Sequence, residues 1–89
     1  MRTIKVTGIN MTNISLNKTT EIICNDGMKR PVDSFRIKEF TKSGRSAEVW
    51  FYNDRICVDA LKKRIGFDNG NLYIKVGNSK YNIGDYEEV

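Results

Sequence analysis

No histidine occurs anywhere in this chain, and that absence narrows its chemistry at once. Histidine is the usual general base near neutral pH. Two cysteines, Cys24 and Cys57, cannot complete a four-ligand zinc site when no imidazole is present to help. The phosphate-binding Walker loop, the Gly-x-Ser-x-Gly nucleophile elbow and the Gly-x-Gly-x-x-Gly dinucleotide loop are all missing. Gly66-Phe67-Asp68-Asn69-Gly70 is glycine-rich only as loops are, and Cys57 has no histidine to activate it. Asp54 and Asp59 could serve as paired acids for glycoside chemistry, but carboxylates are common on every surface. These absences point away from an enzyme, and the expectation is no catalytic residue, no metal and no cofactor.

Other scarcities bound the fold. No apolar run approaches the roughly 20 residues that span a bilayer. The first residues alternate polar with apolar and form no signal-peptide core. A chain of 89 residues makes one domain. It buries only about 60–65% of its unfolded surface, which leaves little room for a deep cleft beside a core. The expected setting is the cytoplasm of a bacterial cell without membrane association. There both cysteines read as small buried hydrophobes, not as a disulfide. Asn, Lys and Ile fill 28 of the 89 positions, a bias toward AT-rich codons that suggests a bacterium, plasmid or phage as the source. Asn-x-Ser/Thr triplets at Asn10, Asn13 and Asn17 read as chance in so asparagine-rich a chain.

What the chain has is positive charge, unevenly spread. The net charge is +4, and residues 1–65 hold 13 Lys/Arg against 7 Asp/Glu. Residues 66–89 hold 2 against 4, with three acids in the closing Asp85-Tyr86-Glu87-Glu88-Val89. A basic body attracts polyanions at long range. The acidic end reads as a loose tail that is solvated or folds back on that body.

The patterning is that of short strands separated by turns. Ile4, Val6 and Gly8 share one parity. Ile14 and Leu16 repeat it, and Thr19 to Cys24 runs into Asn25-Asp26-Gly27, a hairpin signal. Pro31 places the return strand, Met28 to Val32, at an edge or keeps it short. Phe35 to Thr41 and Ala47 to Tyr52 flank a turn at Lys42-Ser43-Gly44-Arg45. Leu72, Ile74 and Val76 alternate up to Gly77-Asn78. Pairing across that turn sets Val76 against Ser79, Lys75 against Lys80, Ile74 against Tyr81 and Leu72 against Ile83.

Residues 55–65 are ambiguous. Ile56, Cys57 and Val58 favour a strand by type, whereas Val58, Leu61 and Ile65 have helical spacing. A short strand to Val58 followed by a helix over 59–65, capped by Asp59 and stopped by Gly66, accommodates both. The sum is an α+β fold, predominantly antiparallel β. Six or seven short strands would form a curled sheet or a small barrel of OB-like or SH3-like form, with one short helix at its end.

The candidate site is built around Trp50-Phe51-Tyr52. With Thr41 opposite Ala47, one face takes Ile37, Val49 and Phe51 as core. The other sets Lys38 against Trp50 and Arg36 against Tyr52. A one-residue slip would bring Glu39 onto Glu48, a like-charge contact that disfavours it. Cations beside exposed rings make a surface suited to single-stranded nucleic acid, where bases stack on aromatics and basic groups hold phosphates. Lys42 and Arg45 in the turn, and Lys29 and Arg30 on the earlier hairpin, extend the stripe. Lys62-Lys63-Arg64 is the densest basic run, read either as a phosphate contact or as cations complementing a helix C-terminus.

Two readings follow. The first is a small basic protein that binds nucleic acid, RNA or single-stranded DNA, through a basic and aromatic sheet face. The second is an accessory protein, of the type carried by phages and mobile elements, that docks on a larger, acidic host protein and inhibits it. Trp, Tyr and Arg would then be interface anchors. A homodimer through a sheet edge, at Arg2–Gly8 or the Pro31 strand, is a further partner expectation.

Overall fold

The computed structural model describes residues 4–42 and 44–88. They form eight strands: β1 (Ile4–Ile9), β2 (Ile14–Ile23), β3 (Lys29–Phe40), β4 (Ser46–Asn53), β5 (Ile56–Arg64), β6 (Gly66–Asp68), β7 (Asn71–Val76) and β8 (Ser79–Glu88). These build two four-stranded antiparallel sheets, ordered β1-β8-β7-β6 and β2-β3-β4-β5. The expected α+β class is therefore corrected to all-β, with more strands than expected, no helix and no closed barrel among the described residues. No helix long and apolar enough to cross a membrane occurs among them.

The strand over 59–65 has a physical cause. Asp54 and Arg55 both take left-handed φ, 49° and 68°, as the two central residues of a type I′ hairpin turn require. That turn feeds β5 directly back along β4, so every residue from Ile56 to Arg64 except Val58 gains a cross-strand partner. A bulge lies between the Tyr52–Cys57 and Phe51–Asp59 pairs and leaves Val58 as the extra residue. Beyond the bulge Leu61 lies opposite Val49, and buried Ile65 follows at the same parity. The 58-61-65 spacing that imitates a helix is a strand whose parity changes once.

Pro31 also sits differently from expectation. It lies in β3, an inner strand, opposite Glu21 of β2. On its other side the β3–β4 ladder stops at Ser34–Tyr52, so this stretch is paired on one side only. The edge argument holds locally although the strand is not an edge. The Asn25-Asp26-Gly27 hairpin is a wider turn, closed by Gly27 N–H to the Cys24 carbonyl at 2.9 Å and Cys24 N–H to Met28 at 2.8 Å. In this hairpin only Gly27 is left-handed, φ 84°. Residues 66–70, expected as loop, are a hairpin. Asn69 and Gly70 supply φ 49° and 82° between Asp68 and Asn71. The acidic end is no loose tail: Glu87 and Glu88 pair with Lys5 and Ile4 at the edge of the first sheet. Arg2 of the proposed dimer edge lies outside the described residues.

The inward faces of both sheets form one apolar cluster. Val32, Phe35, Ile37, Ala47, Val49 and Phe51 come from one sheet, and Leu72, Ile74, Val76, Tyr81 and Ile83 from the other. Phe35 joins them, with its ring edge-on to Tyr81 at 5.6 Å and tilted against Phe51 at 6.1 Å. The Tyr81 hydroxyl reaches the rim and accepts from the Asn17 N–H at 3.1 Å. Cys24 is buried here as expected, but Cys57 is exposed, because its parity on β5 turns it outward; both are free thiols.

The β2-β3-β4-β5 sheet curls until its two rims meet at one point. Asn25 donates its backbone N–H to Asp59 Oδ2 at 2.8 Å. Its side-chain amide donates to Asp59 Oδ1 at 3.2 Å and to the Ala60 carbonyl at 2.9 Å. No ladder joins β2 to β5. The bond from Asn25 N–H, and then that from Ala60 N–H, hold the Asp59 carboxyl below its ordinary value.

Three outcomes are expected. Phe35→Ala should lower unfolding free energy by about 3–5 kcal/mol, the usual cost of truncating a buried phenylalanine. Urea denaturation followed by Tyr81-side and Trp50-side probes should show one transition, since that ring belongs to both halves. Asp59→Ala should destabilise most at neutral pH. A lowered native pKa contributes stability that is complete above the unfolded value of about 3.9 and disappears as pH falls through the native one. The gap between the melting temperatures of variant and parent should therefore narrow on acidification.

Candidate nucleic-acid interface

Placing Phe35 and Ile37 inward turns Arg36 outward, and its partner across β4 is Trp50. The register differs from the expected one. Arg36, not Lys38, stands opposite Trp50, and Ser34 stands opposite Tyr52. A bulge between Ile37 and Glu39 makes Lys38 the extra residue and brings Glu39 opposite Glu48. The like-charge contact that disfavoured the slipped register is thus realised. It is tolerated because Glu48 also faces Lys62 of β5 and accepts the Trp50 indole N–H at 3.2 Å.

Trp50 and Tyr52 belong to this outer face and not to the core, and each is half-buried. The Trp50 ring carries two cations, with Lys38 Nζ 4.9 Å and Arg36 Cζ 5.6 Å from its centroid. Such contacts contribute about 0.5–1 kcal/mol each when exposed. Arg36 is held against the sheet, and its Nε is buried without a hydrogen-bond partner. A buried donor left unpaired costs about 1–3 kcal/mol, more for a charged group. Ala60, opposite Trp50 on β5, leaves the ring uncovered from that side.

The remaining sequence candidates separate. Lys62 stands on this outer face beside Glu48. Lys63 points the other way, its Nζ 5.9 Å from the buried Phe51 ring, and Arg64 turns outward opposite Ser46. The basic run is therefore split by strand parity, and without a helix there is no macrodipole for it to complement. Lys42 and Arg45 lie exposed in the β3–β4 turn, with Ser43 between them outside the described residues. Lys29 is exposed at the start of β3. Arg30 is committed locally: its guanidinium forms a two-pronged pair with Asp26 at 2.7 and 2.9 Å.

A second cluster escaped the sequence reading. Tyr73 of β7 lies over Gly66 of β6 so closely that a Cβ there would fall 2.1 Å from the ring's Cζ. Lys80 Nζ sits 4.7 Å from the centre of the same ring, and Lys75 is directly opposite Lys80. The Lys75–Lys80 pairing was legible in the hairpin. The Tyr73–Gly66 contact was not, because it needs β6, whose Asn69-Gly70 turn was the available signal.

No group of three or more His, Cys, Asp or Glu residues able to hold a metal ion exists among the described residues. No protein-family model, curated protein or solved structure matches this chain. Function therefore rests on the residues themselves.

The Arg30 hydrogen bonds, followed by that from the Met28 N–H, hold the Asp26 carboxyl down at about 2. Arg30→Ala should return Asp26 toward the ordinary value of about 3.9, as read by carboxyl NMR titration. The hairpin's contribution to stability is complete above that ordinary value and is lost as pH falls toward about 2. The variant should show less of this acid-side loss, with the part due to the Met28 N–H remaining.

Proposed function

We propose that this protein binds single-stranded nucleic acid, RNA or DNA, on the outer face of the β2-β3-β4-β5 sheet. One observation carries the reading: Trp50 is half-buried on an outer face, flanked by Tyr52 and overlaid by Arg36 and Lys38, and is no part of the core. A base stacked on an aromatic ring gains about 1–3 kcal/mol and is tolerant of sequence. Lys38, exposed and on a bulge, can swing from the indole to a phosphate, freeing the ring face as it does so. Arg36 is fixed and orients the ring. Glu48 within the face disfavours dense phosphate packing at its centre. Contacts to the backbone then fall to Lys38, Lys62 and the Lys42–Arg45 turn. Tyr52 offers a second stacking position two residues along β4.

Docking on an acidic host protein would use the same rings and cations as interface anchors. The two readings separate on salt dependence with a defined oligonucleotide. Trp50 is the only tryptophan, so quenching of its fluorescence by an oligo(dT) or oligo(U) reports directly on the proposed face. Affinity should fall with salt with a slope near 0.7 per phosphate neutralised, because counterions are released. Trp50→Ala should weaken binding by about tenfold or more, consistent with the loss of one stacked base. An oligonucleotide that leaves the indole unquenched at low salt, or binds with no salt dependence, removes the nucleic-acid reading.

A further inference from the structure

We infer a second anion site where the two sheets adjoin, built to take consecutive phosphate groups of an extended chain. It lies where the polypeptide crosses from β5 to β6. A concavity of about 550 Å³ at the β2–β5 seam contains Glu48 and belongs to the face already described. A different one, of about 390 Å³, is lined by Lys63, Arg64, Ile65, Gly66, Tyr73 and Lys75. No carboxylate lines this second concavity, and among the described residues no carboxylate forms an ion pair with its cations. Buried Ile65 anchors its floor, and the Tyr73 ring, seated on Gly66, forms one wall.

The charge arrangement points to the ligand. Lys75 and Lys80 are directly opposite on neighbouring strands, a placement that is destabilising when uncompensated. Lys80 is turned onto the Tyr73 ring, which leaves Lys75 beside Arg64 and Lys63 along the concavity. Four cations on three strands, with no acid among them, match a run of oxyanions better than a single one. A phosphate chain supplies that run, and the Arg64 guanidinium can donate two parallel hydrogen bonds to its oxygens. The Tyr73 ring lines the same space under Lys80, so a base gains a stacking partner there only when Lys80 moves from the ring to a phosphate.

The site also bears on the proposed nucleic-acid face, and in that respect rests on that reading. Arg64 lies four residues along β5 from Ala60, the residue opposite Trp50, a path of about 13 Å at strand rise. A single strand leaving Trp50 past Lys62 and Arg64 would arrive at Lys75 and Lys80.

Two probes separate the two claims: sodium tripolyphosphate, which has phosphates and no bases, and a 12-nucleotide oligo(dT). Amide NMR spectra would be followed for the parent, for K75A/K80A and for Trp50→Ala, with unperturbed signals elsewhere confirming that each variant is folded. Tripolyphosphate should shift the amides of Gly66, Tyr73 and Lys75 in the parent and in Trp50→Ala, and should bind K75A/K80A at least tenfold more weakly. The oligonucleotide should bind K75A/K80A with a salt slope lower by about 1.4, the value for two phosphates. If tripolyphosphate leaves those amides unmoved, or moves them equally in K75A/K80A, the second site is overturned. If tripolyphosphate binds there and the oligonucleotide binds nowhere, the anion site stands for inorganic polyphosphate and the nucleic-acid reading falls. If the oligonucleotide binds with an unchanged slope in K75A/K80A while tripolyphosphate still requires both lysines, the site stands and the continuous path is wrong.

Discussion

The edge-on contact of Phe35 with Tyr81 is the constraint from which the candidate interface follows. It commits Phe35 to the interior. Val32, three residues earlier, is also interior, so the chain cannot alternate cleanly between them. The ladder to β2 breaks its register there, in the interval between the Ser15–Ser34 and Thr20–Val32 pairs. Once Phe35 and Ile37 are inside, Arg36 must be outside, and Trp50 must be outside opposite it. A cation and an indole thus share a surface because a phenylalanine and a tyrosine share a core.

Much of this was written in the local pattern. The alternation of Leu72, Ile74 and Val76 around Gly77-Asn78 set most of the β7–β8 register, and Lys75–Lys80 came with it. The apolar parity of Ile37, Val49 and Phe51 gave the correct inner face of β3 and β4. What was illegible is what bulges do. One at Lys38 changed which cation stands opposite the indole in the ladder, and one at Val58 gave a strand the spacing of a helix. A bulge adds a single residue, and nothing in side-chain type marks which residue it is. Cys57 failed for a simpler reason: composition says buried, but the hairpin turn sets it opposite outward-facing Tyr52.

Charge was legible in amount but not in placement. Lys62, Lys63 and Arg64 are adjacent in sequence and divided in space, because strand parity sends neighbours to opposite faces. Lys75 and Lys80 are distant in sequence and adjacent in space. Glu48, read from the sequence only as a clash with Glu39, sits in the middle of the aromatic face and takes the indole N–H. Long-range attraction for polyanions follows from the net charge alone. Where a polyanion could rest follows from the pleat.

The Asn25–Asp59 clasp has a consequence for how this protein avoids itself. An open four-stranded sheet has two bare rims, each a template on which another chain could add a strand. Fastening the end of β2 to β5 with three hydrogen bonds turns both rims toward each other at that end. Strand addition to this sheet would first have to undo that fastening, whereas among the described residues no such clasp joins the rims at β1 and β6 of the other sheet. Self-association, if the fold permits any, is thereby directed to one half of the molecule, away from the face that carries Trp50.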